Sequence, residues 1–496
     1  MDFREILGTS NRRRLSLIEL LYYKKEGLPS DQLLNELDCS LPILLNDVKL
    51  VNEQQDSFFI EKYKGLYRLT IIGRVSIGKL YAETLINSPE FQIIEQLLYE
   101  ECDNITSLAE RLFLSVSNTQ RYLKKAESAL AKAGIRLHYR PLRLEGKESV
   151  IRHFFYRYYI EKQNAFENVL PMLKDYQFET IEKFIVEFIN INKLYKKYIF
   201  QKRLIYNIYV SLWRIKNGHE YPKEELRTNA LELPSKEVCN GLSSTASELF
   251  RLHLTDDIMR DCLWLQFSDC VIFSNEHRNN ALQDNPRYRK LFNQHMELVE
   301  RYNGLIGEAM GTQQLIDLNT VLMNDCYMYE PDGEFFAIIR RSRQRFIAVV
   351  SIMHKHAVEQ IDKIVREFVH QHQIYQSEDF IMNYIYLLLT GDVDSLELLA
   401  KRKRNLRLLL LSDLTPTEEE FIAKHIKGIV YGNYEIFFFE SVVDGNDGMY
   451  TEMLNYDALL TTGSVEGLPD DFPVIMMDPY VTPDSIIQIQ NLVNEL

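Results

Sequence analysis

The sequence predicts a multidomain, mainly α-helical chain that ends in a small α/β domain. Three observations predict it. Three short helices followed by a β-hairpin occur twice before residue 150, and residues 150–398 carry long apolar repeats of helical period. After residue 404, strand-like and helix-like segments alternate. The 496 residues are enough for about three to five domains. The punctuation divides them into 1–85, 86–155, 156–285, 286–400 and 401–496.

The elements follow in order. Arg12 to Tyr23 places Leu15, Ile18, Leu21 and Tyr22 on one helical face, and Gly27-Leu28-Pro29 ends it. Ser30 is placed to cap a second helix, Asp31 to Leu37. Past the turn Asp38-Cys39-Ser40 comes a third, Leu41 to Asn52, with Pro42 in the first turn, where its missing N–H is tolerated. Phe58-Phe59-Ile60, a turn at Lys64-Gly65 and Leu66 to Leu69 complete a winged helix-turn-helix module. The second module has Phe91 to Leu98, then Leu108 to Phe113 capped by Ile105-Thr106-Ser107. The turn Ser115-Val116-Ser117 leads to a third helix, Asn118 to Lys132, stopped by Gly134. Its wing is Ile135 to Tyr139 and Leu142 to Leu144, around Pro141.

Two all-α bundles are expected next, parted near 285, with helices such as Phe178 to Ile189 and Lys202 to Ile215. Breaks are expected at Gly218, around Pro234 and Gly241, at Pro286, near Gly311, at Pro331-Asp332-Gly333 and at Gly391. Lys401-Arg402-Lys403-Arg404 is expected to be a hinge. Beyond it, Leu406 to Leu411, Glu435 to Phe439, Ala458 to Leu460 and Val474 to Met477 are expected strands of a mostly parallel sheet. Thr417 to Ile429 and Ser485 to Val493 are expected helices.

Composition excludes several classes. Apolar residues at 46% and charged residues at 26% rule out a disordered chain. No apolar run approaches the roughly 20 residues of a membrane span; Ile381 to Leu389 is short and interrupted by Asn383. The N-terminus shows no apolar secretory segment, and six Cys (39, 102, 239, 262, 270 and 326) without a CxxC pair fit free thiols, so a cytoplasmic protein with no metal site is expected. No GxSxG, phosphate-binding P-loop, HExxH or Gly-rich dinucleotide turn is present, so neither an enzyme nor a cofactor is expected. Ser412 to Thr417 is taken as a helix cap.

Charge is uneven. The net charge is −14, yet residues 1–152 hold 22 Lys and Arg against 21 Asp and Glu, and residues 106–147 hold 9 against 3. A basic N-terminal part on an acidic body suits a DNA binder with a regulatory body. In the stretch Ser107 to Leu123, Ala109 is small where two helices cross, and Leu108, Leu112, Val116 and Leu123 form an apolar seam. Ser117, Asn118, Thr119, Gln120 and Arg121 then open the third helix with groups that pair with base edges. Lys124, Lys125, Arg136, His138, Arg140 and Arg143 suit phosphates. The first module offers Ser40, Asn46 and Lys49, with Arg12, Arg13 and Arg14 as a phosphate clamp, although Asp47 shares that helix. Among eleven His, His219 in a turn is expected to be exposed, and His253, between two Leu, partly buried.

The order of modules, with Ser107 to Leu123, Gly134-Ile135 through Leu144-Glu145-Gly146-Lys147-Glu148, and Leu204 to Gly218, resembles the Mga/AtxA-type virulence and global regulators of Gram-positive bacteria. The resemblance covers essentially the whole chain. It implies two helix-turn-helix modules, two phosphotransferase-system regulation domains (PRDs) and a C-terminal domain similar to the EIIB component of sugar transporters. It further implies homodimers or larger homo-oligomers, duplex DNA as partner, and control through phosphocarrier proteins of sugar transport. Where such domains carry phosphorylatable His, this chain has Asn207 and, near the second position, Gln266. The second PRD stretch, Asp379 to Leu389, has no His, and the EIIB-like part lacks the phosphoacceptor Cys. That leaves His219 and His253 as phosphorylation candidates. The function expected is a DNA-binding activator. The alternatives are a PRD-containing RNA-binding antiterminator, which would open with a β-rich module, and a phosphotransferase, which would need that Cys.

Overall fold

The structure, a computed structural model, describes residues 3–54, 57–162, 170, 172–194, 198–226, 231–267, 271–328, 337–374, 377–392, 394–401, 404–439, 446–465 and 467–495. Among them are 23 α-helices. The expected break at 331–333, Arg402 and Lys403 of the expected hinge, Cys270 and the side chain of Cys326 lie outside the described residues. The chain forms two compact units, 1–285 with 324–341, and 286–323 with 342–496. Residues 324–341 therefore belong with the first unit. One reason is the buried Glu161 carboxylate, which accepts the backbone N–H groups of Ile338, Ile339 and Arg340 at 2.6, 2.8 and 3.0 Å. Buried charge is tolerated when its lone pairs are filled in this way.

The first module comprises α1 (Thr9–Tyr23), β1 (Leu28–Pro29), α2 (Ser30–Leu37), α3 (Leu41–Gln54), β2 (Phe58–Tyr63) and β3 (Leu66–Ile71). Leu17, Ile18, Leu21, Leu33, Leu37, Leu44, Val51, Phe58, Ile60 and Tyr67 meet in its core. The periodicity that predicted the helices therefore also names their buried faces. β1 has no counterpart in the sequence reading. It pairs with β3, giving the order β1-β3-β2. Gly27 permits this: its φ is +92°, and a Cβ would come within 2.7 Å of the Tyr67 carbonyl oxygen.

The second module follows α4 (Ile77–Asn87), a helix beyond those expected from the sequence. It comprises α5 (Pro89–Tyr99), α6 (Ile105–Arg111), α7 (Val116–Ala131), β4 (Arg136–Tyr139) and β5 (Leu142–Glu145), and α8 (Glu148–Lys162) continues from it. Asn104, not Ile105, caps α6: its side-chain oxygen accepts from Thr106 and Ser107 N–H at 2.9 and 3.1 Å. Thr119, Leu123, Ala126, Ala129 and Leu130 form the buried face of α7. That core is continuous with α8, α9 (Asp175–Ile191), α10 (Tyr198–Lys216), α11 (Lys236–Phe250) and α12 (Asp256–Cys262). Gly218 ends α10 as expected, with φ +84°. Gly241 does not break a helix. It lies inside α11, where an added Cβ would sit 3.3 Å from Thr180 of α9, so its smallness serves helix packing.

A buried ionic network ties the second module to these helices. Glu148 accepts from Arg152 at 2.9 Å and from Arg214 at 2.9 and 3.0 Å. Arg152 also donates to Asp261 at 2.5 Å, and Arg214 to Glu100 at 2.8 Å. Burial by itself would push the Glu148 carboxyl up; the two guanidinium groups outweigh it and hold it below the ordinary carboxylate range.

In the second unit, helices Pro286–Leu305, Ser342–Met353, Lys355–His372 and Glu378–Thr390 precede an all-parallel sheet of β6 (Leu406–Leu411), β7 (Tyr434–Phe438), β8 (Ala458–Thr461) and β9 (Val474–Met476). Its order is β7-β6-β8-β9. Leu406, Leu408 and Leu410 face helices Pro416–Ile429 and Pro483–Glu495, while Leu409 packs with Leu459 and Met453 on the other side. The period-2 alternation of β6 thus serves two apolar faces. At the head of Pro416–Ile429, Thr415 and Glu418 form a capping box, which is the cap expected there.

Candidate nucleic-acid interface

The site grows from α6, α7 and the β4–β5 hairpin. Ser115 starts α7: its hydroxyl accepts the Asn118 N–H at 3.2 Å. Burial of Leu123, Ala126 and Leu130 turns the opposite face of α7 outward. Along that face Ser117, Gln120, Arg121, Lys124, Lys125 and Ser128 line one shallow depression. Their spacing follows one stripe of a helix. Arg121 lies against its own neighbour, its guanidinium carbon 5.2 Å from the Tyr122 ring centre. None of these cations has a carboxylate partner among the described residues. The hairpin adds exposed Arg136 on β4 and Arg140 at its tip.

Two acids in this region, Glu127 and Glu145, are paired. Tyr139 donates to Glu127 at 2.7 Å, fastening α7 to the hairpin, and burial with that bond pushes the Tyr139 phenol up. Arg143 donates to Glu145 at 2.6 and 3.0 Å, and this bond holds the Glu145 carboxyl below its usual range. Arg143 is therefore engaged on the hairpin and is not an open phosphate ligand.

Other expected residues are placed differently. Thr119 is fully buried and donates to the Ser115 carbonyl at 3.1 Å, so it faces the core and not a base edge. Asn118 is half-buried beside the cap. Val116, expected in the seam, is 47% exposed. Helical phase decides the Thr119 outcome, since the position four before Leu123 points inward, whereas Val116 is the first residue of α7 and stands at its open end. In the first module Arg13 donates to Asp47 at 2.5 Å and Arg14 contacts it at 3.4 Å, and Asp47 is buried. These two arginines clamp a carboxylate of α3, not phosphate; Arg12 alone of the three is exposed. Ser40, Asn46 and Lys49 are exposed, with Lys49 3.7 Å from Glu53. Asn46 and Lys49 share α3 with outward Leu41, Ile43 and Leu45, and Ser40 directly precedes that helix. The sequence reading missed two features: exposed Lys62 and Lys64 on the first hairpin, and an almost fully exposed Phe113 at the α6–α7 turn.

The histidines also move. His219 is half-buried, with Nε2 2.9 Å from Glu100 and its carbonyl accepting from Arg152 at 3.0 Å. His253 is exposed. Asn207 is buried and accepts from the Trp264 indole N–H at 2.9 Å, and Gln266 is buried as well. Among the described residues no group of three His, Cys, Asp or Glu could hold a metal ion, and no helix is long and apolar enough to cross a membrane.

Residues 73–159, from just before α4 into α8, match the family described as the Mga helix-turn-helix domain. The chain resembles the Mga/AtxA-type regulators. It is 28% identical over 214 residues to the capsule synthesis positive regulator AcpA of Bacillus anthracis, a match covering 42% of this chain and 43% of that protein. It is 25% identical over 166 residues to the capsule synthesis positive regulator AcpB of the same organism, covering 33% and 34%. A Streptococcus pneumoniae protein named as a trans-acting regulator is 19% identical over 447 residues, covering 87% of this chain and 88% of its own. The match to AcpA thus spans less than half of that regulator's length. The Mga-type region coincides with the module that carries the open cationic face.

Proposed function

We propose that this chain is a DNA-binding transcription activator of the Mga type that works as a homodimer or larger homo-oligomer. α5 to α7 with β4–β5 act as a winged helix-turn-helix. α7 enters the major groove with Ser117, Gln120 and Arg121 toward base edges. Lys124, Lys125, Arg136 and Arg140 follow the phosphates. The observation that carries this reading is the stripe of α7 cations without a carboxylate partner among the described residues, in a chain of net charge −14. Arg12, Ser40, Asn46 and Lys49 lend secondary grip. Activation is supported by the names of the AcpA and AcpB relatives. The stretches 156–285 and 286–400 serve as PRD-like bundles and 401–496 as an EIIB-like domain. They hold copies together and set the spacing of the paired DNA modules. A phosphocarrier protein would meet an open imidazole at His253, whereas His219 is engaged by Glu100.

The test is a gel-shift titration of the full chain on footprinted genomic fragments, with hairpin RNA as competitor. Duplex DNA is expected to win. Binding only to hairpin RNA, or to neither at low salt, overturns the reading.

A further inference from the structure

The α6–α7 turn places Phe113 in a costly position twice over. Its φ is +53°, the left-handed region that favours glycine. The turn is a Schellman motif: Leu114 N–H donates to the Ala109 carbonyl at 2.9 Å and Phe113 N–H to the Glu110 carbonyl at 3.2 Å. In such a motif the left-handed residue is usually glycine, and turns between these helices often contain one. Here an aromatic residue stands there, and it is 97% exposed. Its neighbours Leu112 and Leu114 pack against the core. Neither backbone geometry nor burial accounts for an aromatic side chain, so its use lies outside the fold.

Position narrows that use. Phe113 stands two residues before Ser115, the cap of α7, and Val116, 47% exposed, follows directly. Three residues of chain span at most about 10 Å, so both apolar groups flank the leading end of α7. That is the end of a recognition helix that approaches base edges. Arg121 and Lys124 on the same helix, without a carboxylate partner among the described residues, make the surface complementary to a polyanion rather than to an apolar protein face. In the major groove the apolar feature of a base edge is the thymine C5-methyl group.

Resting on the DNA-binding reading above, we propose that Phe113, with Val116, packs on thymine methyl groups and so adds a thymine preference to the bound site. The strain at Phe113 is then kept for recognition. Replacing it with glycine relaxes the turn and removes the contact.

The experiment uses the full chain and a duplex obtained by selection from random sequence. That duplex is synthesised once with thymine and once with deoxyuridine at every thymine position. The wild type is expected to lose affinity roughly fourfold for each buried methyl removed. Phe113→Gly is expected to bind the thymine duplex about tenfold or more weakly, to melt no lower than wild type, and to lose less affinity than wild type when deoxyuridine replaces thymine, the remainder being the share of Val116. Phe113→Asn, which also tolerates the left-handed region, repeats the test should the glycine variant fold poorly. Equal binding of both duplexes by the wild type overturns the inference while leaving DNA binding intact, and no methyl dependence is then left to explain. Equal methyl dependence in wild type and variants also overturns it, because the methyls are then read elsewhere. Absence of duplex binding by the wild type overturns the DNA-binding reading itself.

Discussion

α3 and α7 are third helices of similar three-helix modules, yet they present opposite surfaces. α7 buries Thr119, Leu123, Ala126 and Leu130 and leaves Arg121 and Lys124 without a carboxylate partner among the described residues. α3 buries Asp47, which consumes Arg13 and Arg14, and leaves Leu41, Ile43 and Leu45 outside. A cation held by a buried carboxylate is part of the fold. A cation without one keeps its full charge for a partner. Counting basic residues along the chain does not distinguish the two.

The largest expected effect breaks the first half of this contrast. Asp47→Ala removes the acceptor for two largely buried guanidinium groups, and roughly 2–4 kcal/mol of stability is expected to be lost. Urea unfolding measures it. A loss below half a kcal/mol would mean that Arg13 and Arg14 are solvated and open to phosphate after all.

Acid acts on a third place, distant in sequence from both helices, and sets the window in which they are compared. His295 donates from Nδ1 to the Leu291 carbonyl at 2.8 Å and accepts from the Tyr384 hydroxyl at 2.6 Å. Burial, chiefly, lowers its pKa from 6.5 to about 4. The unfolded chain therefore takes up this proton at higher pH than the folded one. Stability contributed by the neutral ring is complete above 6.5 and is lost as pH falls toward about 4. The full loss is roughly 3 kcal/mol. His295→Gln is expected to flatten that part of the stability–pH curve, and an unchanged curve would show that the ring is solvated.

The next effect sharpens the second half. Arg121→Ala is expected to weaken duplex binding by about 1–3 kcal/mol and relax specificity if its guanidinium meets a base. If it meets a phosphate, the log–log salt slope falls by about one unit. Its unfolding free energy should stay within about half a kcal/mol of wild type. Unaltered affinity in a salt-varied gel-shift series removes α7 from the interface. The smallest effect belongs to α3: Lys49→Ala gives up a 3.7 Å surface pair with Glu53. Changes of at most about half a kcal/mol are expected in both stability and affinity.

Several features were legible in the residues alone. Apolar spacing located α1 to α3 and α5 to α7, because one-sided burial imposes a helical period, and a continuous apolar run located β6, because both of its faces are covered. Local chemistry also located the turn at Gly218 and a helix cap within Ser412 to Thr417, which the hydrogen bonds place at Thr415. Caps were less legible. Asn104 and Ile105 compete for one boundary, and only the hydrogen bonds from Thr106 and Ser107 N–H decide it. β1 and Gly241 escaped the reading because their roles come from a strand or helix distant in sequence.

By itself the sequence determined a helical chain with a basic segment at 106–147 and the types of residue able to meet DNA. Only the tertiary structure decided which of them remain available. Charge counts add along a chain, but pairing depends on distances between residues such as Arg13 and Asp47, 34 positions apart. Helical phase sends Thr119 inward, pairing withdraws Arg143 and His219, and the α6–α7 turn leaves Phe113 outside. Exposure and partnership are properties of the packed molecule, because they depend on which surfaces meet.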